Sequence, residues 1–143
     1  LPLSLGLNRL NGVSSELTKR IENLVGTYGL DGINQIDVPE VRKAREQLVR
    51  EVTENAWEEA IRSLVVANTR RAVIAAAAQF MQQFISIHPF LDGNGRVARL
   101  LTEKLLNSKG LASPIYTHWG EDIALSPFSM EALLARPQSF RSF

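Results

Sequence analysis

The sequence contains no cysteine, which excludes disulfide bonds and thiolate metal sites and leaves the cellular compartment unreadable from redox chemistry. It also lacks a charge excess, because 16 basic and 15 acidic residues leave a net charge of +1. Neither nucleic acid nor an anionic membrane is therefore favoured as a partner. The longest apolar run, around Ala72–Ala78, is far shorter than a membrane span, and the first ten residues lack the basic start of a signal peptide.

What is present is the composition of an ordinary globular protein, with 143 residues of which 45% are hydrophobic. This length predicts a single domain, residues 1–143, with enough chain to bury one real core. The sequence begins at Leu1 rather than Met, which leaves open that it is a fragment of a longer chain.

Apolar spacing predicts helices along most of the chain. Ser14 is a plausible N-cap for the first helix and Gly29 its end. A second helix is predicted from Pro39, and Asn55 is read as the cap of a third. The stretch from Val73 to Ile87 is apolar on nearly all sides, which indicates a buried central helix.

A second central helix follows, and a short last helix is predicted after Ser126-Pro127. The inward face predicted for the second central helix is Val97, Leu100, Leu101, Leu105 and Leu106. We therefore predict an all-α fold of about six helices, packed around two central helices that a short loop joins.

That loop opens the segment His88–Arg99, which reads HPFLDGNGRVAR. Pro89 cannot continue a helix, so the upstream helix is predicted to end near His88. An unperturbed imidazole titrates near neutrality, which makes His88 the obvious general base.

The middle of the segment predicts an anion-binding site. Gly93–Gly95 places two glycines around Asn94, and these residues can form a nest of N–H groups at the start of the next helix. Arg96 and Arg99 share one face of that helix, where their guanidinium groups suit phosphate oxygens. Asp92 is a candidate Mg²⁺ ligand, because Mg²⁺ takes one or two carboxylates plus substrate phosphate oxygens.

The segment resembles the signature of the Fic family, His-Pro-Phe-x-Asp/Glu-Gly-Asn-Gly-Arg-x-x-Arg, and matches every specified position. The resemblance implies the all-α Fic fold and a nucleotidyl transferase, most often one that moves AMP from ATP onto a protein hydroxyl. By position, the resemblance implies a base at His88, a buried loop anchor at Phe90, a Mg²⁺ ligand at Asp92, an α- and β-phosphate cradle at Gly93, Asn94 and Gly95, and β- and γ-phosphate contacts at Arg96 and Arg99.

The expected activity is thus Mg²⁺-dependent protein adenylyl transfer, with ATP as co-substrate and a protein carrying a Ser, Thr or Tyr hydroxyl as partner. Two alternatives stay open. One is the same chemistry with another donor or group, such as UMP or phosphate. The other is a non-catalytic nucleotide-binding interaction domain. The related phosphotransferase branch has Ala-Asn-Lys where this chain has Gly-Asn-Gly, which favours nucleotidyl transfer.

By the same resemblance, residues 30–38 lie where Fic proteins carry the flap, a β segment that holds the target's backbone near the base by strand addition. The spacing of Ile33, Ile36 and Val38 predicts an irregular or short extended segment. A plain connecting loop is the equal alternative.

Many Fic proteins are restrained by a helix with the string Ser/Thr-x-x-x-Glu-Gly/Asn, whose Glu pairs with the second motif arginine. Thr18–Asn23 fits this string, which makes Glu22 a candidate inhibitory residue. The string is short, and a chance match is the alternative. An inhibitory partner protein, flanking sequence or delivery into another cell are the other sources of restraint. The expected location is the cytoplasm, or a host cell that receives the protein as a toxin or effector.

Overall fold

The computed structural model describes residues 13–35 and 37–114, and in these ranges it contains five α-helices and no strand. The helices are α1 (Ser15–Tyr28), α2 (Leu30–Gln35), α3 (Pro39–Val66), α4 (Arg70–Ile87) and α5 (Asn94–Ser108). The all-α prediction is confirmed. The last helix, predicted after Ser126, lies outside the described residues. The chain divides into two compact units, residues 1–55 and 56–143.

In the first unit, α1 begins and ends where the sequence predicts. The Leu17 N–H donates to the Ser14 hydroxyl at 3.2 Å, which caps the helix. Gly29 ends it with a φ of 75°, a left-handed conformation that costs glycine little. Leu17 and Ile21 are buried, so these two residues lie on the face of α1 that packs into the core of this unit.

The extended segment predicted after Gly29 is wrong for residues 30–35, which form α2. The Ile33 N–H donates to the Gly29 carbonyl at 3.2 Å, and the Ile33 side chain is fully buried. Arg45 of α3 donates to the Ile33 carbonyl. Because the Ile33 side chain is buried in the core, the helical conformation of this segment is more stable than an exposed extended segment.

The break predicted at Asn55 is also wrong, because α3 runs without interruption from Pro39 to Val66. No glycine or proline interrupts it after Pro39. Near the predicted break, the Thr53 hydroxyl donates to the Val49 carbonyl at 2.6 Å, a bond to the preceding turn that a residue inside a helix can make.

In the second unit, α4 supplies most of the core and packs against α5. Phe80 and Met81 are almost completely buried, as are three of the alanines. The Phe80 ring contacts the Trp57 ring edge-on, with centroids 5.2 Å apart. The predicted central helix is confirmed. Its alanines give the neighbouring helices room to approach closely.

The inward face of α5 differs from the prediction. Leu105 and Leu106 are buried as expected, whereas Leu100 is 65% exposed. The positions that point inward before them are Ala98 and Thr102, both fully buried. Small side chains therefore occupy the part of α5 nearest its start. None of the helices in the described ranges combines the length and apolarity that a membrane crossing requires.

Candidate functional site

His88 lies at the C-terminal end of α4, as predicted. Its backbone N–H donates to the Phe84 carbonyl at 3.0 Å, and its backbone conformation is left-handed, with φ 54° and ψ 60°. Such angles are uncommon for a residue with a side chain, although histidine adopts them more often than most. The imidazole is exposed, so a substrate can reach it from solvent.

The start of α5 is an open helix N-terminus. Gly93 takes the cap position with φ 80°, and no described side chain caps this end. The first backbone N–H groups of a helix have no intrahelical partner, and together with the helix dipole they favour an anion. A Cβ added at Gly95 would meet no heavy atom within 4 Å, so the space in front of this residue is open. The structure therefore provides the kind of surface that the glycines predict.

Two arginines extend this positive region. One terminal nitrogen of Arg96 lies 3.5 Å from the position that a Cβ at Gly93 would occupy, so the side chain folds back towards the helix start. Arg96 is exposed, whereas Arg99, one turn further along α5, is partly buried. The Arg96 guanidinium therefore adds positive charge beside the helix start.

Asp92 is the acidic residue of the loop, and its carboxylate is exposed. Its Oδ1 accepts a hydrogen bond from the Gly93 N–H at 2.8 Å, which fixes the carboxylate beside the helix start. The described residues contain no group of three or more side chains that could hold a metal ion. A lone carboxylate beside an open helix start would suit Mg²⁺ that arrives with a nucleotide, since phosphate oxygens and water would complete its shell.

The direction of the Asn94 side chain is the feature that the sequence did not predict. Asn94 is 5% exposed, and its carboxamide turns back to the loop. The Phe90 N–H donates to Asn94 Oδ1 at 2.9 Å, and Asn94 Nδ2 donates to the Phe90 carbonyl at 2.7 Å. The sequence signal for this contact is the four-residue spacing of Phe90 and Asn94, which suits a helix-start side chain that reaches backwards.

Phe90 is not the buried anchor that the resemblance implies. The residue is 50% exposed, and its ring lies 6.3 Å, centroid to centroid, from the Phe84 ring. The loop is held through the backbone of this residue, by Asn94, more than through its ring. The following residue, Leu91, is fully exposed, so the loop presents an apolar side chain to solvent between His88 and Asp92.

The structure brings the motif residues together on one loop and the first turns of one helix. The remaining candidates lie in the other compact unit. Glu22 is exposed on α1, and its inhibitory role stays a prediction. Of the proposed flap residues, Ile33 is buried in α2, Val38 is partly buried before α3, and Ile36 lies outside the described residues.

Comparison with known proteins agrees with the motif. The family model described as the Fic/DOC family matches residues 7–106, which is more than half of the chain. A Fido domain-containing protein of Dictyostelium discoideum is 45% identical over 47 residues, and this match covers 33% of each chain. No solved structure matches. The open helix start, the histidine before it and the extent of the family match lead to one conclusion: this chain belongs to the Fic/DOC family.

Proposed function

We propose that this protein transfers AMP from ATP to a hydroxyl side chain of a target protein. The observation that carries the proposal is the junction of α4 and α5. An exposed imidazole at the end of one helix is followed, within one loop, by the uncapped start of the next. A base and a phosphate-binding surface are the two parts that nucleotidyl transfer needs.

The residues have distinct tasks in this reaction. His88 accepts the proton of the target hydroxyl as its oxygen attacks the α-phosphorus. The bond from the α-phosphorus to the bridging oxygen then breaks, and pyrophosphate leaves. The amides at the start of α5 and the guanidinium of Arg96 stabilise the negative charge on the phosphates. Asp92 would hold Mg²⁺, which neutralises phosphate charge when bound.

The test is incubation of the protein with MgATP, with the mass of the intact protein as readout. Wild type is expected to gain one AMP through auto-modification, and His88→Ala is expected to gain none. Ser86→Ala is the matched control, because Ser86 is an exposed residue on the last turn of α4. Transfer by His88→Ala at the wild-type rate would refute the assignment of the base.

The donor is tested in the same experiment. The motif residues contact phosphates, so other nucleotides and phosphate donors are compared side by side with ATP. A mass gain other than AMP would select the alternative chemistry. If no donor produces any gain, the protein is a nucleotide-binding interaction domain, and calorimetry with MgATP would show binding alone.

The regulatory role of Glu22 is tested by Glu22→Gly. An increase in auto-modification would support internal inhibition, and an unchanged rate would exclude it. Lys19→Gly is the control, since Lys19 is also exposed on α1 and loses a similar amount of helix propensity. Restraint by a partner protein would then be the next hypothesis.

A further inference from the structure

Asn94 is a buried polar residue whose side chain makes two hydrogen bonds to the backbone of one loop residue, Phe90. Its carboxamide accepts from the Phe90 N–H at 2.9 Å and donates to the Phe90 carbonyl at 2.7 Å. These two bonds satisfy both ends of a side chain that is 5% exposed. They also satisfy both backbone groups of Phe90, which lies outside any helix.

Among the described residues, few other hydrogen bonds reach the middle of the loop. Its ends are fixed, because the His88 N–H is bonded to Phe84 and the Gly93 carbonyl accepts from the Val97 N–H at 3.0 Å. Between these ends Phe90 is 50% exposed and Leu91 is fully exposed. Phe90 buries about half of its surface, and its ring contacts the Phe84 ring. Among the described residues, the two Asn94 bonds are the hydrogen bonds that hold the backbone of this part of the loop.

We propose that Asn94 is a positioning residue that sets the separation between the His88 imidazole and the Asp92 carboxylate before a nucleotide binds. The proposal rests on the proposed function, in which these two groups act on the same reaction. Phe90 lies two residues after one and two residues before the other. Fixing the peptide groups on both sides of Phe90 therefore fixes the path between them.

This role differs from the phosphate contact that the resemblance implies for Asn94. A carboxamide that turned towards a phosphate would give up the Phe90 bonds and leave two partly buried backbone groups without partners. The phosphate contacts of this segment then come from backbone amides and from Arg96. Loss of the Asn94 side chain should accordingly impair placement of the reacting groups and spare nucleotide binding.

The kinetic test compares Asn94→Ala and Asn94→Asp with wild type in MgATP. Small misplacements of reacting groups cost large factors in rate, so Asn94→Ala is expected to lower kcat by about tenfold to a hundredfold. The KM for ATP should stay within about threefold, as expected when binding contacts are kept. Asn94→Asp keeps the acceptor and loses the donor, and it should fall between the two. Asn107→Ala, an exposed asparagine near the end of α5, should behave as wild type.

A second measurement reads the loop without any activity. Amide hydrogen exchange of the nucleotide-free protein should show the Phe90 amide protected in wild type and in Asn107→Ala. In Asn94→Ala that amide should exchange roughly tenfold faster, with the amides of α4 and α5 unchanged. If Asn94→Ala does not fold, Asn94→Asp is compared with wild type by the same two measurements.

The outcomes separate the two proposals. A higher KM for ATP with unchanged kcat in Asn94→Ala would assign the carboxamide to the nucleotide and overturn the positioning role. Wild-type kinetics, or an unchanged exchange rate of the Phe90 amide, would also overturn the positioning role. A wild-type protein that transfers nothing from any donor would overturn the proposed function and, with it, positioning for catalysis. The exchange data would still decide whether Asn94 holds the loop.

Discussion

At the scale of single residues, His88 combines an exposed imidazole with backbone angles that a side chain makes costly. A left-handed conformation costs a residue with a Cβ about 1 kcal/mol or slightly more, and glycine avoids that cost. We expect His88→Gly to be more stable than His88→Ala by about 1 kcal/mol, while neither transfers AMP. Denaturant unfolding and intact mass measure the two properties. Equal stability of the variants would mean that the helix end relaxes away from φ 54°.

A substitution at Gly95 should also affect stability and nucleotide binding differently. Gly95 has ordinary helical angles, unlike Gly93, and what it contributes is the space left by its missing side chain. Gly95→Ala is expected to stabilise the protein by about 0.5–1 kcal/mol through helix propensity. A methyl group among the open amides should raise the KM for ATP by roughly tenfold, the effect of about 1.4 kcal/mol.

The control for this variant is Gly26→Ala. Gly26 lies within α1, and a Cβ added there also meets no heavy atom within 4 Å. It should give a similar gain in stability with no change in KM. If Gly95→Ala leaves the KM unchanged, phosphate does not approach this part of the helix start.

At the scale of helices, burial of the Thr102 side chain in α5 costs free energy of folding. Its hydroxyl is buried in α5 and has no hydrogen-bond partner in the described structure. Valine has the same shape without the hydroxyl, so Thr102→Val is expected to raise the free energy of unfolding by about 1 kcal/mol. The rate of transfer should not change. Destabilisation in thermal or denaturant unfolding would show that the hydroxyl has a partner that matters.

The helices also show which predictions sequence can make. Ser14 and Gly29 mark the ends of α1 correctly, because caps act within one turn of the chain. The prediction that α4 is buried is also correct, because its sequence is apolar on nearly every side. The exposure of Leu100 could not be predicted, since a helix with more apolar positions than its contact needs gives no local sign of which face packs inward.

The same distinction holds in the site. The residue types of the motif predict an open helix start preceded by a histidine, and the structure has both. The direction of the Asn94 carboxamide is a tertiary property, because a donor and an acceptor suit a backbone as well as a phosphate. The same holds for Phe90, whose 50% exposure is set by tertiary packing and not by the residue type.

At the scale of the whole molecule, nucleotide binding should be visible as stability. A ligand that binds the folded state at ten times its Kd raises the free energy of unfolding by about 1.4 kcal/mol. We expect MgATP to raise the Tm of wild type accordingly and Arg96→Ala to lose most of that shift. Arg62→Ala, an exposed arginine on α3, should keep it. An equal shift in both variants would remove Arg96 from the phosphate site.

The residues with predicted roles are divided between the two compact units. Every residue of the motif lies in residues 56–143, whereas Glu22 and the segment proposed as a flap lie in residues 1–55. The shared stretch with the Dictyostelium discoideum protein spans a third of that relative. Experiments on the target protein and on Glu22 therefore use residues 1–143, which contain both units.

The loop also offers a position for a fluorescent label. Leu91 is fully exposed beside the motif, and the sequence contains no cysteine. Leu91→Cys would give a single thiol, to which a fluorophore could be attached without competing labels. Such a dye would report the arrival and departure of nucleotide in real time, by a change in its emission.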